Sequence, residues 1–182
     1  MRPTGAARIA GVVGDPIAHS RSPLIHNYWI GKLGLNADYR AFHVPEGTVG
    51  DYLSQRCGDE NWLGCNVTMP HKQAVIPHLA QLDPLAKKIG AVNTIVRQQD
   101  GSLFGYNTDA PGFLEVLGPE LANTHLFRMA RILGTGGAAR AIVVALAKQG
   151  FTLVLSGRNT DKAVSLLNEL APGKDHHVAP LS

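Results

Sequence analysis

The chain has 182 residues, 45% apolar and 17% charged, which suits a packed globular protein and argues against a disordered one. At roughly 100–200 residues per domain, this length allows one large domain or one domain and part of another. Lys and Arg number 17 and Asp and Glu 14, and the net +3 is scattered with no long run of one sign, so neither a nucleic-acid nor a membrane-surface role gains support. In chain order, Ile9–Gly14 is a short apolar run ended by Gly-Asp-Pro, and it reads as a buried strand. Ser22-Pro23 offers a helix cap with Pro at the first helical position, opening a helix Leu24–Leu33 that Gly34 can end. Ala37–Val44 reads as a strand, and Glu46–Cys57 as a helix weakened by Gly47 and Gly50. Trp62–Thr68 is a third strand, broken by Pro70. His71–Leu79 and Pro84–Ile89 read as two short helices, with Asp83 capping the second. Ala91–Arg97 and Leu103–Tyr106 flank Gln99-Asp100-Gly101, a hairpin signal. Asp109–Leu117 starts a helix that Gly118-Pro119 should stop. A composition shift follows: strand Arg128–Leu133, Ala-rich helix Gly137–Gln149, strand Phe151–Leu155, and a helix capped by Asn159 or Thr160 and running to about Leu170. Ala171-Pro172-Gly173 breaks it, and His177–Leu181 can open one more strand. The pattern predicts two α/β modules with a boundary near residues 105–120.

The longest purely apolar stretch, Ala141–Ala147, is far too short to span a bilayer. Ile9–Gly14 is a poor core for a secretory leader, and Asp15 ends it. Cys57 and Cys65 form no C-x-x-C and are too few for a disulfide framework, which fits a reduced, cytoplasmic setting. The eight histidines make no H-E-x-x-H motif or Cys/His quartet, so no metal is expected.

Ile132–Arg140 reads I-L-G-T-G-G-A-A-R, and Gly134, Gly136 and Ala139 match G-x-G-x-x-A between an expected strand and an expected helix. That is the context of a dinucleotide fingerprint, where glycines permit the tight turn and the close approach of a pyrophosphate to a helix start. A ligand-free tight turn is the rival reading. NAD sites usually end the next strand with an acid, and here the run is Ser156-Gly157-Arg158-Asn159-Thr160-Asp161-Lys162. Arg158 and Lys162 suit a 2′-phosphate, so NADP is the expected cofactor. Two solvated surface cations are the alternative. Asp161 between them is dissonant and can cap its helix instead.

Three polar clusters fall at the ends of the N-terminal strands or in the turns after them. They are Asp15-Pro16-Ile17-Ala18-His19-Ser20-Arg21-Ser22-Pro23, then Asn66-Val67-Thr68-Met69-Pro70-His71-Lys72, then Ala91-Val92-Asn93-Thr94 with Gly105-Tyr106-Asn107-Thr108-Asp109. Ligands of open α/β sheets bind at the carboxyl ends of strands. Hydroxyls and amides there can hold a small polyhydroxylated ligand, with a Lys and an Asp for acid–base chemistry.

At these residues the chain resembles the shikimate dehydrogenase family, the NADP-dependent shikimate/quinate dehydrogenases. G-D-P-I-A-H-S-R-S-P, N-V-T-M-P-H-K, G-A-V-N-T, G-Y-N-T-D and G-T-G-G-A-A-R-A stand in the family's order from about Arg8 to Ala163. The resemblance implies an α/β fold: an N-terminal substrate-binding domain with a mostly parallel sheet, residues 1–105, then the first half of a Rossmann-type NADP-binding domain, residues 106–182. It implies that Ser20 and Ser22 grip a substrate carboxylate and that Thr68, Asn93 and Asp109 hold ring hydroxyls. Lys72 matches the catalytic lysine, with Asp109 its partner. Gly134, Gly136, Gly137 and Ala138 match the pyrophosphate loop, and Arg158 and Lys162 the basic pair. The family usually has Asn-Arg-Thr where this chain has Gly157-Arg158-Asn159, which keeps the cation and changes two polar contacts.

Plainer readings stand beside these. Ser22 and Asp109 can be ordinary helix caps, Thr68 can favour extended backbone before Pro70, and Lys72 can be a solvated helix residue. His19 and His71 are read as positional or exposed, Arg21 as solvated, and Tyr28–Trp29 as core. The implied activity is reversible, NADPH-dependent reduction of 3-dehydroshikimate to shikimate in aromatic amino-acid (chorismate) biosynthesis. The expected partner is that small-molecule substrate, with a homodimer left open and neither nucleic acid nor membrane expected. Two readings stay open beside it: a fragment that binds shikimate without turnover, and a quinate-directed enzyme. Two complete domains would need roughly 250–300 residues, so this chain is short for the family.

Overall fold

The computed structural model describes residues 6–122, 128–173 and 175–181. They form two units, one built from residues up to Ala86 with Val92–Tyr106, the other from Lys87–Ala91 with the residues from Asn107 on.

The first unit is organised on β1 (Arg8–Gly14), whose apolar run has a parallel neighbour on each side: β2 (Ala37–His43) and β3 (Trp62–Val67). β3 pairs antiparallel with β5 (Thr94–Arg97), and β5 with β6 (Leu103–Tyr106). A two-residue strand, β4 (Gln81–Leu82), runs parallel to β6 and completes the order β2-β1-β3-β5-β6-β4. Successive side chains leave a strand on opposite faces. Val13 therefore joins Trp62, Val67, Val92 and Ile95 in one cluster, while Val12 joins Ile17 and Tyr39 in another. Gly101 takes φ +86 in the β5–β6 turn, a left-handed conformation that glycine adopts without cost, and the Asp100 carboxylate accepts from the Ser102 amide at 2.9 Å.

Two helices in this unit are α1 (Ser22–Lys32) and α2 (Val49–Cys57), and α3 (Pro84–Ile89) begins in it. Gly34 at φ +63 ends the α1 segment as expected. Asp83 caps α3, accepting from the amides of Leu85 and Ala86. Other expectations fail for local reasons. Ser22 does not cap α1: the cap position is Arg21, with no side-chain cap bond. Tyr28 and Trp29 are not core; they are 61% and 53% exposed on a helix that buries none of its residues. His71–Leu79 is not a helix but a series of turns ending in a 3₁₀ turn at Ile76–His78. Pro77 has no N–H to give, and the bonds formed are mostly of the tighter i→i−3 kind, such as Ile76 to Gln73 and His78 to Val75. Ala91–Asn93 is buried but outside β5, because its amides bond to the Lys72 and Tyr106 carbonyls out of strand register.

The second unit holds a three-stranded parallel sheet, β7 (Met129–Leu133), β8 (Thr152–Gly157) and β9 (His177–Pro180), in sequential order. α5 (Gly137–Lys148) and α6 (Thr160–Leu170) make the crossovers. This is the strand arrangement of one half of a doubly wound nucleotide fold. Its core is Ile132, Val143, Leu153, Leu155, Ala163 and Leu166 with their neighbours. α4 (Asp109–Ala122) runs past Gly118 and keeps Pro119 inside it. Gly118 is not in the left-handed region that would turn the chain, so the expected stop does not occur. Buried Arg140 on α5 donates through Nε to the Ile89 carbonyl at 2.5 Å and pairs with Glu169 of α6.

Candidate functional site

In the first unit the loops after β1 and β3 are joined main chain to main chain. Thr68 N donates to Val13 O at 2.9 Å, and Asp15 N to Met69 O at 3.0 Å. Gly14 makes this approach feasible, since a Cβ there would stand 2.5 Å from the Thr68 methyl. Beyond Gly14, Ile17 is buried and its carbonyl accepts from Ser20 N at 2.9 Å. The Ser20 hydroxyl oxygen accepts from Ser22 N at 3.3 Å, so one turn presents both serines at the start of α1. The Asp15 carboxylate accepts from the His43 ring at 2.9 Å and from Glu46 N at 3.2 Å. Both contacts, the His43 bond foremost, hold its carboxyl below the usual carboxylate value.

The second and third clusters are joined in the same way. His71 N donates to Thr68 O at 2.9 Å, closing the turn that carries Lys72. His71 itself is buried and donates through Nε2 to Val44 O at 2.7 Å, a positional role as read from the sequence. Lys72 is half-buried, and its carbonyl accepts from Val92 N at 2.7 Å. Val67 N donates to Asn93 O at 2.8 Å, and Asn93 N to Tyr106 O at 3.0 Å. Thr68 and Lys72, in one turn, and Asn93, some twenty residues further on, therefore share one hydrogen-bonded set of loops.

Sequence reasoning gave no individual role to three residues here, two of which lay within the polar clusters. Tyr39 Oη donates to Asn66 Oδ1 at 2.6 Å, Asn66 Nδ2 to Thr94 Oγ1 at 3.2 Å, and Thr94 Oγ1 to Asn93 Oδ1 at 3.1 Å. Asn66 and Thr94 stand inside the motifs N-V-T and N-T, which was their only signal; Tyr39 had none. Hydroxyls, amides and one ammonium make a set that can bind a hydroxylated anion and move a proton.

In the second unit Asp109 lies half-buried in the first turn of α4. Asn107 caps that helix, its Oδ1 accepting from Asp109 N at 3.1 Å and Ala110 N at 3.3 Å, while its Nδ2 holds Ala91 O at 2.9 Å.

Also in this unit, Gly134 follows β7 at φ +105, and its amide donates to Ser156 O at 2.7 Å. Gly136 is the N-cap of α5 at φ −85, where any residue fits, and a Cβ there would meet no protein atom. Nothing in the described chain requires glycine at 136. The open space above the first turn of α5, where Gly137 and Ala138 start the helix without intrahelical acceptors for their amides, fits a phosphate. β8 ends at Gly157 with no acid, and Arg158 and Lys162 follow, both exposed. Asn159 Oδ1 accepts from Lys162 N at 2.9 Å, so Asn159, not Asp161, caps α6. These residues fit a nucleotide bearing an added phosphate. A cavity of about 670 Å³ also lies along β7, lined mostly by apolar residues such as Phe113, Leu117, Ile132 and Ile142, with Glu120 and Arg131, and it reaches Ala138 at the start of α5.

Among the described residues no helix is long and apolar enough to cross a membrane. Residues 12–95 match the family described as shikimate dehydrogenase substrate binding domain. A shikimate dehydrogenase (NADP(+)) from Sphingopyxis alaskensis is 46% identical over 170 residues, covering 89% of this chain and 58% of the relative. A shikimate 5-dehydrogenase from Thermus thermophilus, solved in complex with NADP(H) and shikimate, superposes at TM-score 0.80 with 37% identity over 95% of this chain and 63% of its own. The shikimate dehydrogenase of Aquifex aeolicus superposes at 0.85 with 33% identity, over 99% of this chain and 64% of its own. This chain thus spans about three fifths of the length of the relatives it matches. These matches run through the same loops that the hydrogen bonds join: residues 12–95 match the shikimate dehydrogenase substrate-binding domain, and the chain is similar to shikimate dehydrogenases over about three fifths of their length.

Proposed function

We propose that this chain carries the substrate and coenzyme sites of a shikimate dehydrogenase, which reversibly reduces 3-dehydroshikimate to shikimate with NADPH in aromatic amino-acid biosynthesis. The carrying observation is the main-chain joining of the Thr68, Lys72 and Asn93 loops in a chain whose relatives bear that name. NADPH, when bound, supplies the hydride. Gly134, Gly136, Gly137 and Ala138 would hold its pyrophosphate at the start of α5, and Arg158 and Lys162 its 2′-phosphate. Ser20 and Ser22 would take the ring acid's carboxylate, and Thr68, Asn93 and Asp109 its hydroxyls. The developing alkoxide needs a proton and a nearby positive charge. The Lys72 ammonium offers both, and Asp109 is assigned as its partner carboxylate through the resemblance alone. We place the protein in the cytosol, where the free thiols Cys57 and Cys65 would remain reduced.

A spectrophotometric assay with shikimate and NADP⁺, run beside a calorimetric titration of shikimate, tests the proposal. Heat of binding with reduction of NADP⁺ supports it, and the absence of both signals would overturn it.

A further inference from the structure

We propose that Tyr39 is a positioning residue for the ring-acid site: through Asn66 and Thr94 it sets which way the Asn93 side-chain amide faces. The proposal rests on the shikimate reading above and adds a residue to it.

Tyr39 lies on β2, the outer strand of the sheet, and is 4% exposed. α1 holds it from two directions. Asn27 clasps its main chain, Nδ2 donating to Tyr39 O at 2.8 Å while Oδ1 accepts from Tyr39 N at 2.9 Å. The His26 ring stacks on the Tyr39 ring with centroids 4.0 Å apart and planes 10° apart, and its Nδ1 donates to Ser22 O at 2.9 Å. The helix that starts at the serine turn therefore also seats the tyrosine.

The hydroxyl's direction then orders a chain of bonds. Tyr39 Oη gives its hydrogen to Asn66 Oδ1 at 2.6 Å. With that oxygen engaged, the Asn66 amide nitrogen faces the other way and donates to Thr94 Oγ1 at 3.2 Å, and more weakly to Asn93 O at 3.5 Å. Thr94 Oγ1, having accepted, passes its single hydrogen to Asn93 Oδ1 at 3.1 Å. Asn93 is thereby turned with its oxygen toward Thr94 and its NH₂ the other way, as a donor for a substrate oxygen. Reversing the Asn66 amide would aim NH₂ at the phenol, leave the buried phenolic hydrogen without this acceptor, and reverse every later bond. A buried hydroxyl without a partner is unfavourable, so the tyrosine selects the first arrangement.

Tyr39→Phe keeps the ring, its stack on His26 and the Asn27 clasp, and removes only the donor. Thr94→Val removes the last link instead. Shikimate affinity, read by titration of the whole chain, should fall about tenfold in each, and the double variant should lose little more than either alone, because both cut one chain. Side-chain amide signals of Asn66 and Asn93 in the ¹⁵N-labelled, ligand-free chain should shift and exchange faster in Tyr39→Phe. Unchanged affinity, fully additive losses, or unmoved amide signals would overturn the role. If the unmutated chain takes no shikimate, the ring-acid reading fails separately, and the amide signals still decide whether Tyr39 orders the network.

Discussion

Val92 N donates to the Lys72 carbonyl at 2.7 Å, so the main chain of the candidate catalytic lysine is fastened to the loop that leads into Asn93. Lys72→Ala leaves that bond in place and removes only the side chain. In any preparation that turns over, the expected result is a fall in kcat of about 10²–10⁴-fold with a much smaller loss of shikimate affinity. Steady-state rates beside titration check it, and near-normal turnover would remove the acid–base assignment.

Arg158 follows β8 where an NAD site would usually carry an acid. Arg158→Ala should weaken NADP⁺ binding about tenfold or more and leave NAD⁺ almost unchanged, since only NADP⁺ carries the 2′-phosphate. Fluorescence titration with each nucleotide reads the difference. Equal losses for both would contradict the assignment.

Gly64 is the most demanding glycine in the sheet. It sits in β3 at φ +142, and a Cβ would run into the carbonyl of Ile95 on the neighbouring strand. Gly64→Ala should cost about 3 kcal/mol or more, because the strained conformation and the backbone clash act together. Urea unfolding measures it, and a loss within error of zero would show that the β3–β5 register can relax.

Asp15 bears on pH dependence. The His43 ring and the Glu46 amide hold its folded-state carboxyl below the ordinary value. A depressed carboxylate contributes stability that is present above the unfolded pKa, near about 4, and lost as pH falls through the lower folded value. Asp15→Asn should therefore melt below the parent chain near neutral pH, with the gap closing in acid below about pH 4. Thermal melts of both proteins across that range test the sign. A gap that widens in acid would contradict it.

Features set by neighbours in sequence were legible from the outset. The Asp100-Gly101 turn, the Asp83 and Asn159 caps, and the glycine turn before α5 each need only a few adjacent residues. Features set by partners far along the chain were not. Tyr39 reaches Asn66 because β1 lies between their strands, with Tyr39 in register with Ala10 and Ala10 with Gly64, and no local pattern encodes that register. The segment 71–79 has apolar residues at helical spacing, but Pro77 cannot donate and the turns tighten. α4 continues past Gly118-Pro119 because a glycine in an ordinary helical conformation is no stop by itself. Tyr28 and Trp29 looked like core because they are large and aromatic, yet α1 faces them outward.

The central claim is that the loops after β1 and β3, with Asn93 before β5, form a shikimate site in the first unit. Calorimetric titration of shikimate into this chain and into its Thr68→Ala variant tests it most directly. The account predicts one shikimate bound per chain, with affinity at least about tenfold weaker in the variant, which loses a hydroxyl partner for the ligand. No heat from the parent chain, or equal affinity in the two, would contradict it.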